Sequence, residues 1–340
     1  MDKKYSTIAG KILKKINSSN KILMHCHPYP DTDSVGSVLA MGEFLKKLRK
    51  DVVIIGGDSA FPKSLENFPN KDWIQQINFL QVNPEDFDLF IILDSSSISQ
   101  ITQKFEIKLP ENLETIVIDH HVTNTGFGKI NLIAPELAST TNIIYQLFKH
   151  WGDKPSKDMA LNLFMGIYGD TGGFMYPNAK LNVWKSALEL IEINPDYHQL
   201  VFDLNNNRSS IEVKMVGLAL SNIKTFYSNK VALSLIPYDE IKKRGLSKED
   251  AIEGLVPDKL RSVIGWEIVA SLVEVEPNKV IVSLRTRKEG VYDVSKIAKN
   301  IGINGGGHRG AAGTTIKKSV ENAVIELVRY IGKNFPDLKS

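Results

Sequence analysis

One cysteine, Cys26, stands in 340 residues, so no intrachain disulfide can form and nothing points to an oxidising compartment. No apolar run approaches the length needed to span a bilayer. Little charge of either sign is left over. The 42 Lys plus Arg against 39 Asp plus Glu give a formal net charge of +3, which argues against a protein that coats long nucleic acid through its total charge. A small anionic ligand would need only a local basic patch. The first residues, MDKKYSTIAGKILKK, scatter their charges and have no continuous apolar core. They do not read as a secretion signal, and cytoplasm is the expected location. Internal repeats and low-complexity tracts are also missing. What remains, 42% hydrophobic and 24% charged residues, is ordinary globular composition at a length that suits two domains.

The first half alternates short apolar runs with helical patterns: KILMHC, SVGSVLAMGEFLKKL, DVVIIGG, FDLFIILD, ETIVIDHH. Such alternation predicts crossover connections and a largely parallel, doubly wound sheet with helices on both faces. Acidic and histidine residues follow the apolar runs directly, at the strand ends that face one crevice in such a sheet. From Ser139 to about Thr225 the reading is mainly helical. KVALSLIP, WEIVASLVEVE and KVIVSLRTR then read as strands, followed by helix VSKIAKNI, a glycine-rich loop and helix SVENAVIELVRYIGKNF. The expected layout is an N-terminal domain over 1–208, a helical linker over 209–229 and a smaller C-terminal α/β domain over 230–340, with a cleft between the domains.

Four segments carry candidate chemistry. His27-Pro28-Tyr29-Pro30-Asp31-Thr32-Asp33 leaves a strand and opens a helix, and an imidazole followed by alternating carboxylates can face divalent cations. Alone it could equally be a Pro/Asp turn with a capping Ser34. Asp94 ends FIIL, where a carboxylate could also cap the next turn. Asp119-His120-His121 follows a buried apolar strand, and three ionisable groups there are costly to desolvate unless paired or bound to metal. Asp170 ends a helix beside Gly172 and Gly173, a position that a plain helix terminus would also explain.

Together these segments resemble the DHH phosphoesterases. The pattern H-x-x-P-D-x-D-x-x-G-S is met by His27, Pro30, Asp31, Asp33, Gly36 and Ser37, the second motif by Asp94, the third by Asp119-His120-His121 and the fourth by Asp170 in GDTGGF. Asn124, Phe127, Gly128 and Ser139-Thr140 agree as flanking text. Gly305-Gly306-Gly307-His308, with Asp293-Val294-Ser295 ahead of it, resembles the C-terminal GGGH signature of the same family.

The resemblance implies two divalent cations, Mn2+ being expected and Mg2+ or Co2+ the alternatives. One would be held by His27, Asp31 and Asp94, the other by Asp33, Asp94, His120 and Asp170, with Asp94 bridging. Asp94, His120 and His121 are the implied catalytic residues, and Asp119 would orient an imidazole. His121 would meet a substrate phosphate or the leaving oxygen. Gly306, Gly307, His308, Arg285 and Arg309 would bind substrate phosphates from the second domain. The implied activity is hydrolysis of short oligoribonucleotides (nanoRNA) and 3'-phosphoadenosine 5'-phosphate (pAp). Linear or cyclic dinucleotides (pApA, c-di-AMP) and polyphosphate are the alternative substrates. A non-catalytic nucleotide-binding module is the remaining reading, and the intact ligand set argues against it. The expected partners are short RNA or a small phosphorylated nucleotide, with no long nucleic acid and no membrane, and with a homodimer permitted. One departure bears on the substrate subclass: Asp94 is followed by Ser-Ser-Ser-Ile-Ser-Gln, without the basic residue that many relatives place there.

Overall fold

The computed structural model describes residues 3–207, 209–252 and 254–339. The chain divides into two compact units, Met1–Asn207 and Arg208–Ser340. The first unit runs α1 (Lys3–Ser18), β1 (Lys21–His25), α2 (Thr32–Lys47), β2 (Asp51–Ile55), β3 (Ile74–Gln75), β4 (Leu89–Leu93), β5 (Glu114–Asp119), β6 (Ile130–Ile133), α3 (Thr140–Trp151), α4 (Lys157–Asp170), α5 (Leu181–Ile193) and α6 (His198–Asn206).

Its six strands pair in the order β3-β2-β1-β4-β5-β6, every pair parallel. The continuous apolar runs make sense of this arrangement. Every residue of β4 is buried, as a strand covered on both faces requires. One face, bearing Met24, Ile91 and Ile118, packs on residues of α1 to α5 such as Ile12, Leu39, Phe148 and Leu163. The alternate residues Leu23, Phe90 and Val117 face the other way onto Phe79, Ile101 and Leu113. That second face is closed by short 3-10 turns and irregular segments where α-helices were expected. The chain leaving β1 turns toward β2 and the chain leaving β4 turns toward β5. The carboxyl ends of β1 and β4 therefore flank the point where strand order reverses, the standard place for a ligand crevice.

The second unit runs α7 (Ser210–Ser221), β7 (Ile223–Phe226), β8 (Val231–Ile236), α8 (Tyr238–Lys243), α9 (Lys248–Ile252), α10 (Pro257–Arg261), β9 (Ile268–Glu276), β10 (Lys279–Thr286), α11 (Val294–Ile301), β11 (Ile303–Gly307), β12 (Ala311–Ile316) and α12 (Val320–Asn334). Its sheet has the order β11-β12-β10-β9-β8-β7 and is antiparallel except for the β8–β9 pair. The stretch read as a linker packs here: Met215 and Ala219 of α7 are buried against Val269 and Val273 of β9, and β7 pairs with β8. The glycine-rich segment read as a loop is instead the edge hairpin β11–β12. Glycine weakens strand propensity, and small residues at an edge hide the alternation by which strands are recognised. No helix among the described residues is long and apolar enough to cross a membrane.

Candidate metal centre

β1 ends at His25, which is buried, with its Nδ1–H donating to the Cys26 carbonyl at 2.9 Å and its ring edge-on to Phe90. Burial lowers its pKa to about 4, so His25 is a neutral core histidine outside the cluster. Asp31 caps α2: its Oδ1 accepts from the backbone N–H of Asp33 (3.0 Å) and Ser34 (2.9 Å). Its Oδ2 is left 3.6 Å from His27 Nε2.

Asp33 is fully buried in the first turn of α2. Its Oδ2 accepts from Thr140 N–H at 2.6 Å, and its Oδ1 from Thr141 N–H at 2.8 Å and the Thr141 hydroxyl at 2.6 Å. The free amides at the start of α3 therefore anchor it, as helix N-termini hold carboxylates. Close packing of α2 on α4 brings Asp33 toward Asp170. A β-carbon on Gly36 would clash with the Asn162 carbonyl, and one on Gly166 would lie 2.8 Å from Asp33 Oδ1.

Asp94 follows β4 with φ +52°, a left-handed conformation that Asp tolerates better than most residues. It presents Oδ2 to His27 Nε2 at 3.6 Å and Oδ1 to His120 Nε2 at 3.5 Å, and the Thr140 hydroxyl donates to Oδ1 at 3.1 Å. Asp170 closes the group, with Oδ2 at 3.1 Å from His120 Nε2. At the end of β5, Asp119 faces inward and is fully buried. It accepts from His121 Nδ1–H at 2.7 Å, His120 N–H at 2.9 Å and Asn124 Nδ2 at 2.7 Å.

Among the described residues, the ion pairs of these five carboxylates are all with histidine. The cluster is short of positive charge, and its proton affinities say so. Burial, then the charges of Asp94 and Asp170, hold the Asp33 carboxyl well above its ordinary range. Burial and Asp94 outweigh the His120 hydrogen bond and bring Asp170 to about 6. Burial disfavours a charged His120, but Asp170, Asp94 and Asp33 prevail and push it up to about 12. Three overlapping sets have donor atoms within 4.8 Å of one another: His27, Asp31 and Asp94; Asp33, His120 and Asp170; and Asp94, Asp119, His120 and His121. Carboxylate oxygens with imidazole nitrogens are the donor set that divalent cations such as Mn2+ and Mg2+ accept, so the cluster could hold metal.

The sequence profile of the DHH family, N-terminal domain, matches residues 21–167, and that of the DHHA1 domain matches residues 228–334. The chain belongs to the DHH family. It is 24% identical to the bifunctional oligoribonuclease and PAP phosphatase NrnA of Bacillus subtilis, over 90% of this chain and 92% of that protein. It is 27% identical to the protein of the same name from Thermus thermophilus, over 91% of this chain and 88% of that one. Among solved structures it is similar to an exopolyphosphatase-related protein from Bacteroides fragilis, with a TM-score of 0.87, 26% identity and 98% coverage of both chains.

In the DHHA1 domain the residues expected to bind phosphate are less uniform. Gly306 and Gly307 pair with Gly313 and Ala312 across the edge hairpin. His308 stands exposed on its turn, its backbone exchanging hydrogen bonds with Ala311 at 2.8 and 3.2 Å. Arg309 is also exposed, with Nε 3.5 Å from Asp293 Oδ2. Arg285 already holds a carboxylate with its fork: Nε donates to Asp258 Oδ1 at 3.1 Å and an Nη to Asp258 Oδ2 at 3.2 Å. A phosphate would have to compete with Asp258. The DHH motifs do not include Thr141, whose hydroxyl and amide both grip Asp33. The Ser-Thr-Thr run ahead of an amphipathic helix is the signal that marks it.

Proposed function

We propose that this DHH protein is a metal-dependent phosphoesterase that hydrolyses short oligoribonucleotides and dephosphorylates pAp. The observation that carries the reading is Asp94, whose two oxygens address His27 on one side and His120 on the other. We assign His27, Asp31 and Asp94 to one divalent cation and Asp33, Asp94, His120 and Asp170 to a second, with Mn2+ the expected ion. The names of the Bacillus and Thermus relatives support the substrate class. When bound, such cations offset phosphate charge and activate water for attack on phosphorus.

The chain's own groups prepare the rest. Asp119 fixes the proton of His121 on Nδ1 and leaves Nε2 uncommitted. Although burial opposes its charge, Asp119 and Asp94 raise the pKa of His121, so Nε2 can carry a proton to the leaving oxygen. His308 is assigned to a substrate phosphate, as are Arg285 once freed from Asp258 and Arg309. The uncharged Gly306 and Gly307 would let that phosphate approach the backbone.

The name of the Bacteroides structure favours a second reading, exopolyphosphatase. An Mn2+ assay comparing pAp, pApA, a trinucleotide, a long RNA and polyphosphate separates the two. Turnover of pAp and the short RNAs, falling steeply with length, is expected. Equal cleavage of a dimer and a long RNA, or preference for polyphosphate, would overturn the proposal.

A further inference from the structure

The fourth DHH motif runs on into Thr171-Gly172-Gly173-Phe174-Met175-Tyr176-Pro177-Asn178, a stretch with no acidic or basic residue directly after Asp170. Three consecutive residues there are left-handed: Gly172 (φ +57°), Gly173 (φ +65°) and Phe174 (φ +66°). Phe174 accepts that strain with its ring stacked on Trp184, centroids 4.3 Å apart. The coil is tied back by Tyr176 N–H donating to the Thr171 carbonyl at 2.9 Å and by Asn178 Nδ2 donating to the Asp170 carbonyl at 3.0 Å.

This folding lays the Tyr176 ring over Gly172. A β-carbon at Gly172 would lie 2.5 to 2.7 Å from three ring carbons at once, Cζ, Cε1 and Cε2. Near-equal distances to those atoms are possible only above the ring plane, so one face of the ring rests on the glycine. Tyr176 is nevertheless 44% exposed and its neighbour Met175 82% exposed. An aromatic ring is thus held flat on the backbone at Gly172, two residues after Asp170, while the residue stays 44% exposed. Anchoring on one side removes much of the ordering cost that a free tyrosine would meet when it binds.

We propose that Tyr176 is a nucleobase-stacking platform, against which the base of the substrate lies while its phosphate meets the Asp–His cluster. The inference rests on the phosphoesterase reading above and extends it to the part of the substrate that carries no charge. A flat apolar surface beside an anionic, cation-seeking cluster matches a nucleotide, which has a ring at one end and a phosphate at the other. Stacking tolerates every base, with purines offering the larger face.

The test measures KM and kcat with Mn2+ for pAp, for pUp and for 1-deoxyribose 3,5-bisphosphate, which keeps both phosphates and lacks the base. Tyr176→Ala is expected to raise KM for pAp about 5- to 100-fold. The rise should be smaller for pUp and absent for the base-free compound, and Tyr176→Phe should behave as wild type. Tyr176→Leu, which keeps bulk over Gly172 without a ring, takes the place of the alanine variant if that variant fails to fold. An equal loss on all three substrates, no change on any, or a defect in Tyr176→Phe would overturn the platform while leaving the phosphoesterase reading intact. Wild-type enzyme inert on pAp and on short RNA would overturn that reading, and the platform with it.

Discussion

Asp119 Oδ1 and His121 Nδ1 lie 2.7 Å apart, and the same oxygen accepts the backbone N–H of His120 at 2.9 Å. One buried carboxylate atom thus holds the ring of His121 and the backbone of His120. Asp119→Asn keeps the size but offers Nδ2–H or a neutral oxygen where an anion stood. The expected result is a loss in kcat of about 10- to 100-fold, the usual effect of removing a partner that orients a functional histidine. Metal content by elemental analysis should stay near wild type. A kcat unchanged by the substitution would remove Asp119 from its positioning role.

The joint between α2 and α4 gives a second prediction. A methyl group on Gly36 meets the carbonyl of Asn162, a backbone atom that cannot swing aside. Gly36→Ala should destabilise the protein by about 1–3 kcal/mol, the range for overpacking a close contact. Because the joint also sets the separation of Asp33 and Asp170, Mn2+ affinity should fall with it. Chemical denaturation and equilibrium dialysis read the two effects.

The charge deficit at the centre predicts a coupling between pH and cations. Asp170 has its pKa raised to about 6 in the folded protein, so without cations it contributes stability in acid that is lost as pH rises through about 6. Asp33 is raised as well and acts in the same direction. His120, pushed up from 6.5 to about 12, contributes fully below 6.5 and progressively less as pH rises above it, so it acts in the same direction. Cations replace the missing positive charge and need deprotonated ligands. Added Mn2+ should therefore increase the melting temperature more at pH 8 than at pH 5.5. An equal or reversed shift in scanning fluorimetry would contradict the assignment of Asp33 and Asp170 as ligands.

The DHHA1 domain offers a paired test. His308→Ala should raise KM for pAp without changing metal content. Asp258→Ala should lower KM, because it releases the guanidinium of Arg285 from its carboxylate. If Asp258→Ala leaves KM unaltered and only reduces stability, Arg285 is a structural residue and the phosphate is gripped elsewhere.

Much of the centre was legible because it sits at strand ends. Apolar runs such as FIIL and IVI fix where β4 and β5 stop, and a parallel sheet collects those ends in one place, so Asp94 and Asp119 could be brought together from sequence. Other features depend on contacts between residues distant in the chain. Nothing near Arg285 in the sequence announces that Asp258 will occupy it. The run Gly305-Gly306-Gly307 has the composition of a loop, and it is a strand because Ala311–Ile316 lies beside it to be paired with. The α7 segment has an apolar face without a visible partner until β9 is in place. Tyr176 reads as one aromatic residue after a motif, and its role depends on a left-handed coil that the glycines permit but do not announce.

Asp31 divides its two oxygens between different tasks, one ending the backbone of α2 and the other facing His27. Asn, Ser or Thr could start the helix equally well, and none of them would bring a negative charge. Under the cation assignment proposed above, the position is closed to its usual substitutes for a reason unrelated to folding. Sliding Asp31 by one residue relative to Asp33 would force a choice between a frayed helix and an incomplete cation site, so the interval between the two aspartates is a measured length in the chain.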